Sequence, residues 1–167
     1  MTEQTIICHI RYSSFESLPE SEQSLISCAI EASKRAYAPY SQFHVGAAAR
    51  LQNGQIFTGN NQENVAYPSG LCAERVALFA AHAQCPNIPV MTLAIAAYNA
   101  KDSQFHLATP CGACRQVIAE FQKQSGFPIT LLLYSPEKVV IIKDAGELLP
   151  LAFDFPPDFV TIKTSNL

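Results

Sequence analysis

Charged side chains are scarce in this sequence, and basic ones are not in excess. Asp, Glu, Lys and Arg make up only 15% of the 167 residues, and the formal net charge is −3. A protein that binds a polynucleotide usually carries a basic patch or stripe, and no cluster of Lys and Arg occurs along this chain. We therefore expect a small-molecule partner and no nucleic acid.

The sequence also lacks an apolar run of the roughly 18–20 residues that a membrane-spanning helix needs. Its first residues, Met-Thr-Glu-Gln, do not resemble a secretory leader, which has a basic region followed by an apolar one. No linker, repeat or low-complexity segment divides the chain, and 49% of its residues are apolar, which is enough for one core. These features predict a single cytoplasmic domain over residues 1–167 with no membrane partner.

Apolar patterns and turn signals predict an α/β domain with a mixed five-stranded sheet between two helical layers. An Asn53-Gly54 turn predicts a hairpin, because both residues tolerate positive φ. The last two strands must be antiparallel, since the four residues between them are too few for a parallel crossover. The five strands are expected at residues 45–51, 55–58, 90–98, 129–134 and 139–142.

Three helices and a short N-terminal strand complete the predicted fold. The strand is expected over residues 5–11, ahead of a helix that a capping box at residues 17–20 opens and that stops by Ala38. An alanine-rich, buried helix is expected over residues 72–84. For the last helix, Thr109 is the predicted N-cap and Pro110 the first helical residue.

The sequence contains six cysteines, which in a reducing compartment indicate metal ligands or buried thiols, with disulfides as the alternative. We expect Cys8, Cys28 and Cys85 to be small buried apolar residues. The other three have the placement of metal ligands. Cys72 opens one predicted helix, and Cys111 and Cys114 lie three apart at the start of another, where residues share a face.

Helix N-termini carry partial positive charge, which favours the thiolates that bind zinc. Three protein ligands leave the fourth tetrahedral position open for water, as in catalytic zinc sites. A redox pair or a structural zinc would explain a lone Cys-x-x-Cys equally well. A structural site requires a fourth ligand, however, and the sequence offers no obvious one.

Cys72-Ala73-Glu74 and Pro110-Cys111-Gly112-Ala113-Cys114 together resemble the signature of the zinc deaminases. In that chemistry Glu74 would take the proton of the attacking water and deliver protons to the ring nitrogen and the departing ammonia. Three thiolates leave a zinc site negative, so the adjacent Arg75 is expected to withdraw charge by donating hydrogen bonds to ligand sulfurs. The alternative for Glu74 is a surface carboxylate that the helix dipole stabilises.

The chain resembles the cytidine deaminases, and specifically their small homotetrameric type with three zinc cysteines. The resemblance extends in the family's order from about residue 20 to residue 153, leaving an N-terminal extension and a C-terminal tail outside it. It implies hydrolytic deamination of cytidine and deoxycytidine to the uridines with one Zn²⁺ per subunit, a reaction of pyrimidine salvage. The matching stretches are residues 39–47, 61–67, 72–75, 110–115 and 147–153.

The resemblance also implies roles for five further residues. Asn61 and Glu63 fall where the family binds the sugar hydroxyls, and Phe43 falls where an aromatic ring packs on the pyrimidine. The backbone around Ala73 would read the base edge, and Phe153 would reach the ring from a neighbouring subunit. Without the neighbouring motifs, Asn61 and Glu63 would be a polar loop, and the two phenylalanines would be ordinary core residues.

Three other functions remain open at this point. A modified or antibiotic nucleoside could be the substrate. A nucleotide substrate is opposed by the absence of Lys and Arg from residues 59–67. A polynucleotide substrate is opposed by the acidic charge balance and by the antiparallel last strands. A zinc-binding module without catalysis would have no use for Glu74.

Overall fold

Seven strands and three helices are found in the residues that the computed structural model describes, which are Glu3 and residues 5–154. No helix within those residues has both the length and the apolar character to cross a membrane. The helices are α1 (Glu20–Ser33), α2 (Ala73–Gln84) and α3 (Gly112–Ser125). The strands are β1 (Ile10–Ser13), β2 (Phe43–Leu51), β3 (Ile56–Asn60), β4 (Val90–Asn99), β5 (Gln104–His106), β6 (Thr130–Tyr134) and β7 (Val139–Ile142).

The strands form one mixed sheet in the order β1-β7-β6-β4-β2-β3, with β5 paired to the end of β4. β4 and β6 run parallel, and the other neighbouring pairs are antiparallel. The predicted antiparallel arrangement of the last two strands is confirmed, with Tyr134 opposite Val139.

The predicted count of five strands is wrong, because the described residues contain a seven-stranded sheet. The N-terminal strand lies at Ile10–Ser13 rather than at residues 5–11, and it joins the sheet as an edge strand beside β7. β5 was missed because it is only three residues long, which is too short for apolar alternation to reveal it.

The two faces of the sheet bury two separate apolar clusters, which confirms the three-layer fold. Alternate residues of a strand point to opposite faces. Ala47, Ala49 and Leu51 of β2 therefore pack with α2 and α3, whereas Ala48 packs with α1. Leu25 of α1 and Leu78 of α2 are completely buried at the centres of these clusters.

Glycines in β2 and β3 let two helices lie directly on the sheet. A Cβ on Gly46 would lie 2.0 Å from the Ala29 carbonyl oxygen of α1. A Cβ on Gly59 would lie 2.4 Å from the Ala77 amide nitrogen of α2. The second contact fixes α2, and therefore its N-terminal cysteine, against the strand that leads into residues 61–63.

Two predicted helix starts are wrong. Ser17 ends the 3-10 turn Phe15–Ser17, and its hydroxyl pairs with Ser14, so α1 begins after Pro19 without a side-chain cap. In α3, Cys111 rather than Thr109 holds the N-cap position. Cys72 holds the N-cap of α2. Two of the predicted metal ligands therefore hold N-cap positions, where the helix dipole stabilises a negatively charged thiolate.

Candidate active site

Three cysteine sulfurs meet where the N-termini of α2 and α3 converge. The Sγ atoms of Cys72 and Cys111 are 3.7 Å apart, and those of Cys111 and Cys114 are 3.5 Å apart. Two sulfurs bound to one tetrahedral zinc at about 2.3 Å each would lie about 3.8 Å apart. The trio fits one zinc ion, and its sulfur atoms all lie within 4.8 Å of one another.

The thiols of Cys72 and Cys114 differ in acidity because they share a hydrogen bond. A hydrogen bond from Cys114 and then one from Arg75 lower the pKa of Cys72 to about 5, although burial opposes this. The same bond to Cys72, together with burial, raises the pKa of Cys114. One sulfur of the trio therefore gives up its proton readily, as a metal ligand must, and metal binding displaces the remaining protons.

Glu74 lies beside the trio with only 5% of its surface exposed. Burial is the main cause that raises the pKa of this carboxyl group, and the charge of Cys72 adds to it. Burial of this kind is how enzymes raise the pKa of the carboxyl groups that act as general acids and bases. Glu74 is therefore suited to general acid–base chemistry at this position.

Arg75 follows in the first turn of α2 and faces the same sulfurs. Its Nη2 donates a hydrogen bond to Cys72 Sγ over 3.6 Å. Its Nε is buried and has no hydrogen-bond partner among the described residues. The guanidinium group therefore places a positive charge, and an unused donor, next to the thiolate cluster.

These residues open into a cleft of about 730 Å³. Six of the predicted residues outside the cysteine trio come together on its walls: Phe43, Asn61, Glu63, Ala73, Glu74 and Arg75. The side chains of Asn61 and Glu63 also bond to the backbone between Tyr40 and Val45.

Phe153 does not line the cleft of its own chain. It is 70% exposed, and its backbone is held at both ends by the Gln116 side chain of α3, at 3.1 and 2.9 Å. Within the described residues, the Phe153 side chain is therefore at the protein surface.

Sequence reasoning missed several wall residues. Tyr40 and Tyr67 form an edge-to-face pair with ring centroids 5.9 Å apart, and Ile95, Ala108 and Thr109 complete the wall near Cys111. Small and apolar side chains carry no chemical signal, so Ile95 and Ala108 could not have been found from residue type. Tyr40 could have been found, since it lies within the matching stretch at residues 39–47.

All six cysteines are free thiols, so the disulfide alternative is not realised. The expectation that the other three are buried is wrong for Cys8, which is exposed on the N-terminal segment. Cys28 and Cys85 are half-buried.

Comparison with known proteins agrees with this geometry. The model of the cytidine and deoxycytidylate deaminase zinc-binding region matches residues 19–127. A cytidine deaminase from Sporosarcina psychrophila is 41% identical over 133 residues, covering 78% of this chain and 90% of the relative. One from Halalkalibacterium halodurans is 44% identical over 98 residues, covering 59% of this chain and 70% of the relative.

A solved structure supports the same assignment. The crystal structure of cytidine deaminase from Burkholderia pseudomallei superposes with a TM-score of 0.67 at 39% identity, covering 78% of this chain and 97% of that one. The chain belongs to the cytidine and deoxycytidylate deaminase family. The family's zinc site corresponds to the cysteine trio found here.

Proposed function

We propose that this protein is a zinc-dependent cytidine deaminase, which hydrolyses cytidine and deoxycytidine to uridine and deoxyuridine and releases ammonia. The observation that carries the proposal is the convergence of Cys72, Cys111 and Cys114 beside the buried carboxyl group of Glu74. A structural zinc site would need a fourth protein ligand, whereas three ligands leave room for chemistry.

Cys72, Cys111 and Cys114 hold one Zn²⁺ in this proposal. Zinc, when bound, acidifies a water molecule so that it becomes a nucleophile at neutral pH. Glu74 accepts the proton of that water and passes it to the ring nitrogen of cytosine. Glu74 then takes the remaining proton from the hydroxyl group on the attacked carbon and delivers it to the amine as the bond between that carbon and the nitrogen breaks. The products are a uracil carbonyl and ammonia, so the step consumes one water.

Arg75 tunes the charge of the site in this proposal. Three thiolates on one divalent cation leave a net charge of about −1, which would make the nucleophilic water less acidic. The bond from Arg75 to Cys72 withdraws part of that charge. The buried Nε is a further donor on the same side of the guanidinium group.

A nucleoside is the proposed substrate class, because the cleft is of ordinary ligand size and carries few charges. Arg75 is the only Lys or Arg among the described residues that line the cleft, and it is already bonded to Cys72. A substrate with a 5′-phosphate would need a free cation. In this proposal Phe43 packs on the pyrimidine, the Ala73 backbone reads the base edge, and Asn61 and Glu63 bind the sugar.

We also propose that the whole chain acts as one domain in the cytoplasm, as a homotetramer in which Phe153 completes a neighbour's cleft. The exposure of two large apolar side chains supports an assembly, since Leu151 is 96% and Phe153 is 70% exposed. The reduced state that the thiol trio needs supports a reducing compartment.

The test is an ultraviolet time course of the zinc-loaded protein with cytidine, deoxycytidine and cytidine monophosphate, checked by ammonia release. We expect both nucleosides to be converted and the nucleotide to be converted far more slowly. Conversion of the nucleotide alone would overturn the proposed substrate class. No conversion of any cytosine compound by the folded, zinc-loaded protein would overturn the proposed reaction and leave a modified nucleoside to be tried.

A further inference from the structure

Asn61 and Glu63 are bonded to residues 37–45, which form the loop before β2 and the first residues of β2, whereas the Gln62 backbone bonds to Leu71. Three of the bonds join backbone groups: Tyr37 N–H to the Asn61 carbonyl at 3.0 Å, Glu63 N–H to the Tyr37 carbonyl at 2.8 Å, and Asn61 N–H to the Val45 carbonyl at 3.1 Å. Tyr37 and Val45, at the two ends of this stretch, are therefore both hydrogen-bonded to residues 61–63.

The Asn61 side chain adds two bonds within that frame. Its Oδ1 accepts from the Val45 amide at 2.8 Å, and its Nδ2 donates to the Phe43 carbonyl at 2.9 Å. Both polar atoms of the amide are thus engaged with the backbone on either side of His44. A residue whose task was only to bind a sugar would have no need of this arrangement.

The Glu63 side chain secures the other half of the loop. Its Oε2 accepts from the Tyr40 amide at 2.8 Å and from the Ser41 amide at 3.3 Å. Hydrogen bonds from the Ser41 side chain and then from these amides lower the pKa of Glu63, so the carboxylate stays charged. Charged acceptors form the stronger hydrogen bonds.

The loop between these anchor points contains an uncommon backbone conformation. Gln42 has a φ of +59°, in the left-handed region that residues other than glycine rarely adopt. Such a conformation persists where the surroundings determine it. Gln42 directly precedes Phe43, and both Tyr40 and Phe43 lie on the wall of the cleft. The Gln42 backbone bonds to Ala38 and Ala100. The bonds from Asn61 and Glu63 hold the residues on either side of Gln42, which include Tyr40 and Phe43.

We propose that Asn61 and Glu63 are positioning residues that fix the loop carrying Tyr40 and Phe43, in addition to the sugar contact proposed for them. This inference rests on the proposed function, since it assigns the loop to the same cleft. It predicts that substitutions at either position weaken binding of the base even where the sugar lacks its 2′- and 3′-hydroxyl groups.

The first experiment uses Asn61→Asp, which keeps an acceptor for Val45 and for a sugar hydroxyl but replaces the donor to Phe43. The KM of cytidine and the inhibition constant of 2′,3′-dideoxycytidine, measured in competition with cytidine, are compared with the unaltered protein. We expect both constants to rise by a similar factor of about ten, as the loss of a partly buried hydrogen bond implies. A rise for cytidine alone would overturn the proposal.

The second experiment needs no substrate. Hydrogen exchange of the amides at residues 40–45 is measured by mass spectrometry for Asn61→Asp and Glu63→Ala. Asn64→Ala serves as the matched control, because Asn64 lines the same cleft but its Oδ1 accepts from the Ala66 amide. We expect faster exchange in the first two variants and unchanged exchange in the control. Unchanged exchange in all three would overturn the positioning role.

The two experiments separate the inference from the proposed function. If the protein converts no cytidine but Asn61→Asp and Glu63→Ala still loosen residues 40–45, the loop is positioned for another ligand and the proposed substrate is wrong. If cytidine is converted and the loop is unaffected, the positioning role is wrong. If Asn61→Asp does not fold, Glu63→Ala alone is used for the test, because the hydrogen bonds of the Glu63 side chain are exposed whereas those of Asn61 are partly buried.

Discussion

Arg75 donates a hydrogen bond from Nη2 to the Sγ of Cys72 over 3.6 Å, which joins a fixed cation to a predicted metal ligand. Both residues lie at the start of α2, where the helix dipole also favours negative charge. This bond raises the pKa of Arg75 and contributes to the lowered pKa of Cys72. The geometry matches the charge-withdrawing role that the sequence suggested for Arg75.

Substitution of Arg75 by Gln should lower the catalytic rate by about 10–100-fold, the usual effect of losing a partner of a metal ligand. Removal of a positive charge disfavours hydroxide, so the alkaline rise of the rate should move to higher pH. The pH profile of kcat measures this. Arg11→Gln, at an exposed arginine of β1, is the control and should leave the profile unchanged. An unaltered profile in Arg75→Gln contradicts the role.

Substitution of the fully buried Cys114 by Ser should remove zinc from the protein, since a serine hydroxyl is a poor zinc ligand. We expect the zinc content per chain, measured by atomic absorption, to fall together with activity. Cys28→Ser is the matched control, because Cys28 packs against the cluster beneath α1 rather than at the site. Retention of full zinc in Cys114→Ser would show that the trio is not the metal site.

The N-terminal segment is held to the turn at residues 145–148 by His9 and Glu147. The His9 amide donates to Glu147 Oε2 at 2.6 Å, and His9 Nδ1 lies 2.8 Å from Oε1. The hydrogen bond from the His9 backbone amide is the main cause that lowers the pKa of Glu147 below its ordinary value of 4.5. A lowered pKa in the folded state stabilises the fold above pH 4.5, and the stabilisation is lost as the pH falls through the lower folded value.

Glu147→Gln should therefore melt at a lower temperature than the unaltered protein at pH 7, and the difference should shrink as the pH falls below 4.5. Melting curves between neutral and acid pH measure the effect. Glu137→Gln, at an exposed glutamate of the β6–β7 turn, is the control. A difference that grows towards acid pH would contradict the assignment.

Phe153→Ala tests whether a neighbouring subunit completes the cleft. The side chain is exposed and does not line the cleft of its own chain, so its loss should not alter zinc content or folding. We expect a higher KM for cytidine, with light scattering of the eluted protein giving a tetramer for the unaltered chain. An unchanged KM would show that Phe153 does not reach substrate.

The parts of the fold that sequence predicted well are those with local signals. The Asn53-Gly54 hairpin and the strand at Val139–Ile142 are both found where the pattern placed them. Cys111 and Cys114 were found because their spacing on a helix is a local property, and Cys72 was found because Cys72-Ala73-Glu74 resembles the zinc deaminase signature. The capping signals at Ser17 and Thr109 failed because nearby residues, Pro19 and Cys111, take the N-cap positions.

The parts that sequence could not predict depend on contacts between distant residues. Asn61 was assigned to the sugar alone, although its amide bonds to residues 16 and 18 positions earlier. His9 and Glu147 are 138 positions apart, and neither carries a signal for the other. The strand predicted at residues 5–11 is found at Ile10–Ser13 because pairing with β7, rather than the apolar pattern of the segment itself, determines where the strand begins.

The most direct test of the central claim is the substitution Glu74→Gln, assayed for cytidine turnover and zinc content in the same preparation. Glutamine preserves the size of the buried side chain but cannot carry a proton between water, ring and amine. The account predicts a fall in kcat of about 10²–10⁴-fold, typical of a lost general acid–base group, with zinc content unchanged. Turnover close to that of the unaltered protein would contradict the account.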